Sequence, residues 1–312
     1  MTNTDETTTD VTTTDAWPQL PVASWLDTRD TFTLWLQVIG KIRLARTPLL
    51  RHWWNVPLYV GARGLTTSLM PDGPGRSFSI DLDLIDHHLD IQTTRGESDR
   101  MNLEPMTVKD FYAELTGRLD RLGLGTDIWT MPVEIPDAIP FDEDDTHSSY
   151  DAASVTAFWR TLVETQRVFD IFQARFVGKS SPVHLFWGAL DLAVTRFSGR
   201  GAPPHPGGAP NCGPHVMHEA YSREVSSAGY WPGGDGEGIF YSYAYPEPDG
   251  YRARPAGPGE AQWDTDLGEF VLPYTAVRTA ADPDAMLLEF LQATYAAAAE
   301  TAAWDRGHLE RP

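Results

Sequence analysis

Apolar positions recur along the chain with two periods, one helical and one strand-like, and they divide it into elements. After an extended lead-in from Trp17 to Val22, Phe32, Trp35, Leu36 and Ile39 share one helical face, with Asp27 or Thr28 as cap and Gly40 as the stop. His52, Trp53 and Trp54 open an apolar strand running to Val60, and Pro57 assigns it to an edge or a bulge. Phe78, Ile80, Leu82 and Leu84 alternate with Asp81 and Asp83; the chain turns at Asp86-His87-His88 and returns through Leu89 and Ile91, which is a hairpin. Thr107 caps a helix with Val108, Phe111, Leu115, Leu119 and Leu122 on one stripe, closed by Gly123. A strand from Asp127 to Ile135 follows, and then a long helix from Val155 to Phe176 that buries Trp159, Leu162, Phe169 and Phe172.

The longest apolar run comes next, FVGKSSPVHLFWGALDLAVTRFSGR at 176–200, interrupted by Lys179, His184, Asp191 and Arg196. A flat strand from His184 to Arg196 would be ~40 Å long, so a bend or break is expected at Gly188. Beyond it, GAPPHPGGAPNCGPH is a long Gly/Pro loop, which points to a functional or a disordered segment. EAYSREVSSAGYWPGG, IFYSYAY and EFVLPYTAV read as short strands or turns, and Asp282-Pro283 starts a last helix that buries Met286, Leu287, Phe290, Leu291 and Tyr295. The fold class is α+β, with antiparallel strands packed against helices.

Landmarks occur twice in the same order. Trp17, Leu20-Pro21-Val22, Asp27-Thr28, a helix, Gly40-Lys41, His52 with Trp53, and Arg63 are followed by Trp129, Met131-Pro132-Val133, Asp145-Thr146, a helix, Gly178-Lys179, His184 with Trp187, and Arg196. The reading is an internal duplication into two similar halves, 17–126 and 127–312, with 1–16 a disordered Thr/Asp tail and 137–153 an acidic connector.

Composition narrows the partners. Lys and Arg number 24 against 44 Asp and Glu, a formal charge of −20. That balance argues against nucleic acid and anionic membranes, which need a basic footprint. One cysteine, Cys212, excludes an intrachain disulfide and a cysteine-built metal site, and a cytoplasmic location is the expectation. No run approaches ~18 apolar residues, and the first residues lack the features of a signal peptide.

The stretches WPQLP, GKIRLARTPLLRHWWNVPLYVGARGLTTS, PFDEDDTHSSYD and GKSSPVHLFWGALDLAVTRFSGR together resemble a bacterial family known as domain of unknown function 5996. YSREVSSAGYWPGG and LPYTAVRTAADPDA also fit it, so the resemblance covers nearly the whole chain after the tail. It implies one family-length unit and carries no activity, cofactor or site residue.

Candidate chemistry rests on the residues themselves. His184 in its apolar strand is either a satisfied core histidine or a ligand or general base, and His52 in the matching place favours the second reading. Their parities with Arg196 and Arg63 differ, so one copy needs a bulge. Asp191 and Glu224 are candidate acids. Lys41 and Lys179 follow glycines at expected helix ends, where a cation complements the dipole or a ligand. Arg63 and Arg196 have forks suited to a carboxylate or phosphate ligand, or equally to surface pairing with the chain's own carboxylates, and Trp53, Trp187 and Trp231 supply aromatic walls. His147 beside its acidic run, a run that otherwise reads as a solvated loop, and His215, His218 and Glu219 in PHVMHEA are the candidate metal ligands. No nucleotide-cofactor fingerprint, P-loop or nucleophile elbow is present.

The combined expectation is a protein acting on or binding a small polar or acidic molecule. The pocket would lie between the halves, lined by His52, His184, Arg63, Arg196 and the tryptophans, with acid/base or metal-assisted chemistry. The competing reading is a non-catalytic ligand-binding or scaffold protein whose polar groups are structural.

Overall fold

The computed structural model describes residues 16–311, so the expected tail lies outside the described residues except for Ala16. The first half runs α1 (Val22–Arg46), β1 (Tyr59–Gly61), β2 (Gly64–Thr66), β3 (Met70–Pro71), β4 (Ser77–Asp83), β5 (His88–Thr93), β6 (Ser98–Asn102) and α2 (Val108–Arg121). The second runs α3 (Ala152–Ala174), β7 (His184–Phe186), β8 (Asp191–Gly201), α4 (Pro214–Ala220), β9 (Arg223–Trp231), β10 (Ile239–Tyr245), β11 (Gln262–Asp264), β12 (Glu269–Pro273), α5 (Tyr274–Thr279), α6 (Pro283–Thr301) and α7 (Arg306–Leu309). All named strands pair antiparallel, in two sheets ordered β1-β2-β4-β5-β6, with β3 on β4, and β11-β12-β10-β9-β8-β7. The protein is α+β.

Local signals explain most elements. Thr107, Asp151 and Asp282 each accept a hydrogen bond from the backbone N–H three residues on, capping α2, α3 and α6. In β4 the alternation is literal: Phe78, Ile80 and Leu82 are buried while Ser77, Ser79 and Asp81 keep contact with solvent. The hairpin turn falls before His88, and the break at Gly188 separates β7 from β8, with Leu190 in the left-handed region at φ 66°.

Four expectations are corrected. Gly40 does not stop α1, which continues six residues further to Arg46; its missing side chain admits the Trp187 ring, whose Nε1 would stand 2.1 Å from an added Cβ. The apolar strand from His52 is instead a 3-10 turn over Arg51–Trp53, and strand geometry begins only at Tyr59. Residues 127–135 pair with no strand. The connector is not wholly solvated, because Asp144 is fully buried and accepts from the backbone of Thr146 and His147.

The two sheets meet edge to edge where Leu58 and Leu185 exchange backbone hydrogen bonds of 2.9 and 2.8 Å. α1 packs on both α2 and α3, so residues of both halves contribute to one continuous core. There Trp35 stacks on Phe111 with ring centroids 4.6 Å apart. Along the chain the first sheet lies between α1 and α2, and the second between α3 and α6. The proposed residue equivalence fails, however: His52 lies in a turn at φ 57° and His184 lies in β7.

The second sheet places the site. Its rung Leu192, Tyr230, Phe240 and Leu272 belongs to the core, in which α3 and α6 also take part. The adjacent rungs, Ala193 with Gly229, Tyr241 and Val271, and Thr195 with Ser227 and Tyr243, therefore point the other way. Among the described residues the long helices α3 and α6 join the core on the side of the first rung. Loop contacts border the other face, among them Glu134 N–H to the Pro210 carbonyl at 2.8 Å and Asn211 Nδ2 to the Ile135 carbonyl at 3.3 Å.

Candidate functional site

Alternation along β8 puts Asp191 at one end of this face, ahead of Ala193 and Thr195. Across the sheet, Tyr241 sits beside Gly229, and a Cβ there would stand 2.3 Å from the phenol oxygen. The absent side chain thus lets the Tyr241 ring lie over β9 toward Asp191, whose charged form the phenol favours. A second glycine does the same for Glu134. Its carboxylate lies against the β7–β8 turn, with Oε1 2.4 Å from where a Gly188 Cβ would be. Glu134 itself is held at φ 63°, a conformation that costs a non-glycine residue about 1 kcal/mol.

Tyr243 and Tyr221 join hydroxyl to hydroxyl at 2.7 Å, and Thr195 and Ser227 do so at 2.8 Å. Tyr241 and Tyr243 stack at 6.2 Å with ring planes 17° apart. Glu269, at the start of β12, completes the group. Its charge acts on Tyr221, Tyr241 and Tyr243, and its Oε2 is buried without a hydrogen-bond partner. Asp191, Tyr221, Tyr243 and Glu269 are each partly buried.

Crowding of like charges in a partly dry place sets the protonation. Burial, and then the Glu134 charge, push the Asp191 carboxyl up to about 7. Burial, followed by Asp191 and Asp264, does the same for Glu269, also to about 7. Glu134 keeps contact with solvent, yet desolvation by the surrounding chain still raises its carboxyl. The phenols of Tyr221 and Tyr241 are held well above their ordinary range by burial, and Tyr243 rises to about 12 for the same first reason. Near neutral pH the site therefore offers neutral phenol donors beside two carboxyls that exchange protons, the requirement for general acid and base work.

Residues 17–311 match a family described as a family of unknown function, DUF5996. The chain belongs to that family. No curated protein and no solved structure matches it. The match covers both sheets and the carboxyl–tyrosine face, so the site of this DUF5996 member lies inside the family unit.

The residues singled out from sequence are dispersed. His52 donates from Nδ1 to the Ala220 carbonyl at 2.9 Å and meets the Lys179 ammonium at Nε2. His184 is 1% exposed, packs on Phe186 and Tyr59, and is pushed down to about 3 by burial and then by Arg43. No hydrogen bond or ring contact joins the two histidines. Arg63 is exposed on the first sheet and paired with Asp83 and Asp86. Arg196 is fully buried, donates to the Phe172 carbonyl, and lies on Phe172 and Tyr295. An even number in β8 turns Arg196 to the helices, away from Asp191. The expected pocket shared by His52, His184, Arg63 and Arg196 is therefore not assembled.

The aromatic and lysine candidates hold the framework. Lys41 is buried within α1 and donates to the Trp129 carbonyl at 2.9 Å and to that of Met131, with its amine lowered to about 8 by desolvation. Trp187 donates to the Val56 carbonyl at 2.9 Å. Trp53 meets His215 edge-on at 5.7 Å, and Trp231 covers Gly233 at the end of β9. Glu224 accepts from Ser198 at 2.9 Å and Arg200 at 2.8 Å, lining a hollow of 240 Å³ with Tyr245 and Trp304.

His147 is 2.7 Å from Asp144, and His215, His218 and Glu219 share α4. Among the described residues no group of three or more His, Cys, Asp or Glu is placed to hold a metal ion. A groove of 570 Å³ along β5 and β6 is charged, but its acids Asp90, Glu97 and Asp99 are already paired to Arg100, Arg76 and Arg118.

Of the sequence candidates only Asp191 falls in the carboxyl–tyrosine site. Tyr241 and Tyr243 were legible as a period-2 pair in IFYSYAY. Glu134 and Glu269 had no such signal, because a loop and a distant strand deliver them.

Proposed function

We propose that the face of the second sheet carrying Asp191, Tyr241 and Tyr243 performs acid–base chemistry on a small neutral or cationic molecule bearing hydroxyl or amine groups. The observation that carries this reading is the pair of glycines, Gly188 and Gly229. They let Glu134 and Tyr241 lie flat against the backbone, beside Asp191. A side chain at either glycine would displace the carboxylate or the phenol from this position.

The roles follow from the chemistry. The ionised member of the Asp191–Glu269 pair takes a proton, its protonated partner supplies one, and the neutral phenols donate hydrogen bonds to substrate oxygen or nitrogen. Glu134 favours a cationic group and keeps Asp191 protonated to higher pH. An acidic ligand is disfavoured here, because three carboxyls face it.

A panel of polyols, amines and dicarboxylates screened by thermal shift, followed by turnover assays on the hits, tests the reading. Hits are expected among polyols and amines, with stabilisation and turnover lost in Asp191→Asn and Glu269→Gln and a pH profile centred near neutrality. Binding of dicarboxylates alone, unaffected by either substitution, would overturn it.

A further inference from the structure

On the same sheet face, six residues along β8 from Asp191 and ~20 Å away, stands a group of opposite sign around Phe197. Lys179, whose carbonyl accepts from Phe197 N–H, carries its ammonium 4.6 Å from the Phe197 ring centre and 5.3 Å from that of Trp54. Arg51 also lies over this indole, its guanidinium 5.7 Å from the Trp54 centre. Arg223, at the start of β9 opposite Gly201, donates to the Ser222 carbonyl at 3.1 Å, and its charge, like that of Arg51, acts on Lys179.

None of these three cations forms an ion pair with a carboxylate among the described residues, in a chain whose formal charge is −20. Glu219 acts on His52 and pairs with none of the three. Rings steady a cation but do not neutralise it, so gathering three cations here is uphill without an anion.

Backbone geometry gives a second, independent sign. His52 and Trp53 are consecutive bulky residues in the left-handed region, at φ 57° and 60°. Such conformations are held where the surroundings over-determine them, commonly at ligand clamps. Here the strained turn brings His52 to Lys179. Because His52 Nδ1 donates to the Ala220 carbonyl, Nε2 is the acceptor and takes one ammonium hydrogen. The other two remain for a ligand.

We infer that Lys179, Arg51 and Arg223 form a binding site for a small dianion of the phosphate-monoester type, with His52 orienting the lysine. The inference stands independently of the carboxyl–tyrosine reading.

Calorimetric titration with inorganic phosphate at constant ionic strength tests it, with acetate and chloride as comparison anions. Saturable phosphate binding is expected, weakened about tenfold or more by Lys179→Met and by Arg223→Gln, since a charge-assisted contact is lost in each. Arg95→Gln, between β5 and β6 on the other sheet, should leave it unchanged. Because Arg51 is exposed, Arg51→Gln is expected to fold even where Lys179→Met does not. Absence of phosphate binding, equal response to chloride, or wild-type affinity in Arg51→Gln and Arg223→Gln would overturn the inference.

Discussion

Asp191→Asn should make the protein more stable at neutral pH than the unaltered chain, and the margin should depend on pH in a calculable way. In the unfolded chain the carboxyl titrates near 3.8, whereas in the folded chain burial and Glu134 hold it at about 7. Between those values the native state keeps a proton that the unfolded state has released. Stability therefore falls as pH rises, by ~1.4 kcal/mol per pH unit, and levels off above the folded value. From about pH 5.5 to about pH 7 the loss is ~2 kcal/mol, reduced to ~1–2 kcal/mol because Asp191 retains some contact with solvent. Asparagine has nearly the same shape and no titration, so the difference between the two chains isolates this one group. Glu269 adds in the same direction, because part of its own elevation comes from Asp191. Urea unfolding of both proteins at intervals from about pH 5.5 to about pH 8 is the assay. A stability difference that stays flat across this window, or that moves against the variant as pH rises, would refute the account of the site.

Three further outcomes are expected. Gly40→Ala should lower the melting temperature, although alanine in a helix interior ordinarily gains ~1 kcal/mol, because the new Cβ meets the Trp187 ring; a rise in melting temperature would remove the packing argument. Gly229→Ala should cost ~1–3 kcal/mol by forcing the Tyr241 phenol off the sheet, measured by chemical denaturation, and a neutral result would mean the ring is not confined there. Tyr241→Phe should move the Asp191 titration upward, since the phenol stabilises the carboxylate; carboxyl carbon NMR reads it, and a downward move contradicts the assigned contact.

Much of the architecture was written locally. The Thr107 and Asp282 caps, the alternation in β4 and the break at Gly188 each depend on interactions within a few residues, so the order of residues alone discloses them. The misread elements are those where a distant group decides. Gly40 looked like a stop because its partner, Trp187, is 147 positions away in sequence. The His52 segment is apolar enough for a strand, yet contacts with Ala220 and Lys179 accompany its turn.

The same division holds for function. The sequence by itself determined the α+β class, the family and the presence of Asp191 in an otherwise apolar run. It also set two histidines side by side on paper that the fold keeps apart, because similar order along a chain carries no information on register. Only the tertiary structure decided which face of β8 is covered by helices, and hence that Asp191 and Arg196, five positions apart, look in opposite directions. Glu134, Tyr221, Tyr241 and Glu269 come from four segments, and nothing in any one of them signals the others. Their shifted protonation exists only once burial and mutual repulsion act together, which is a property of proximity in space.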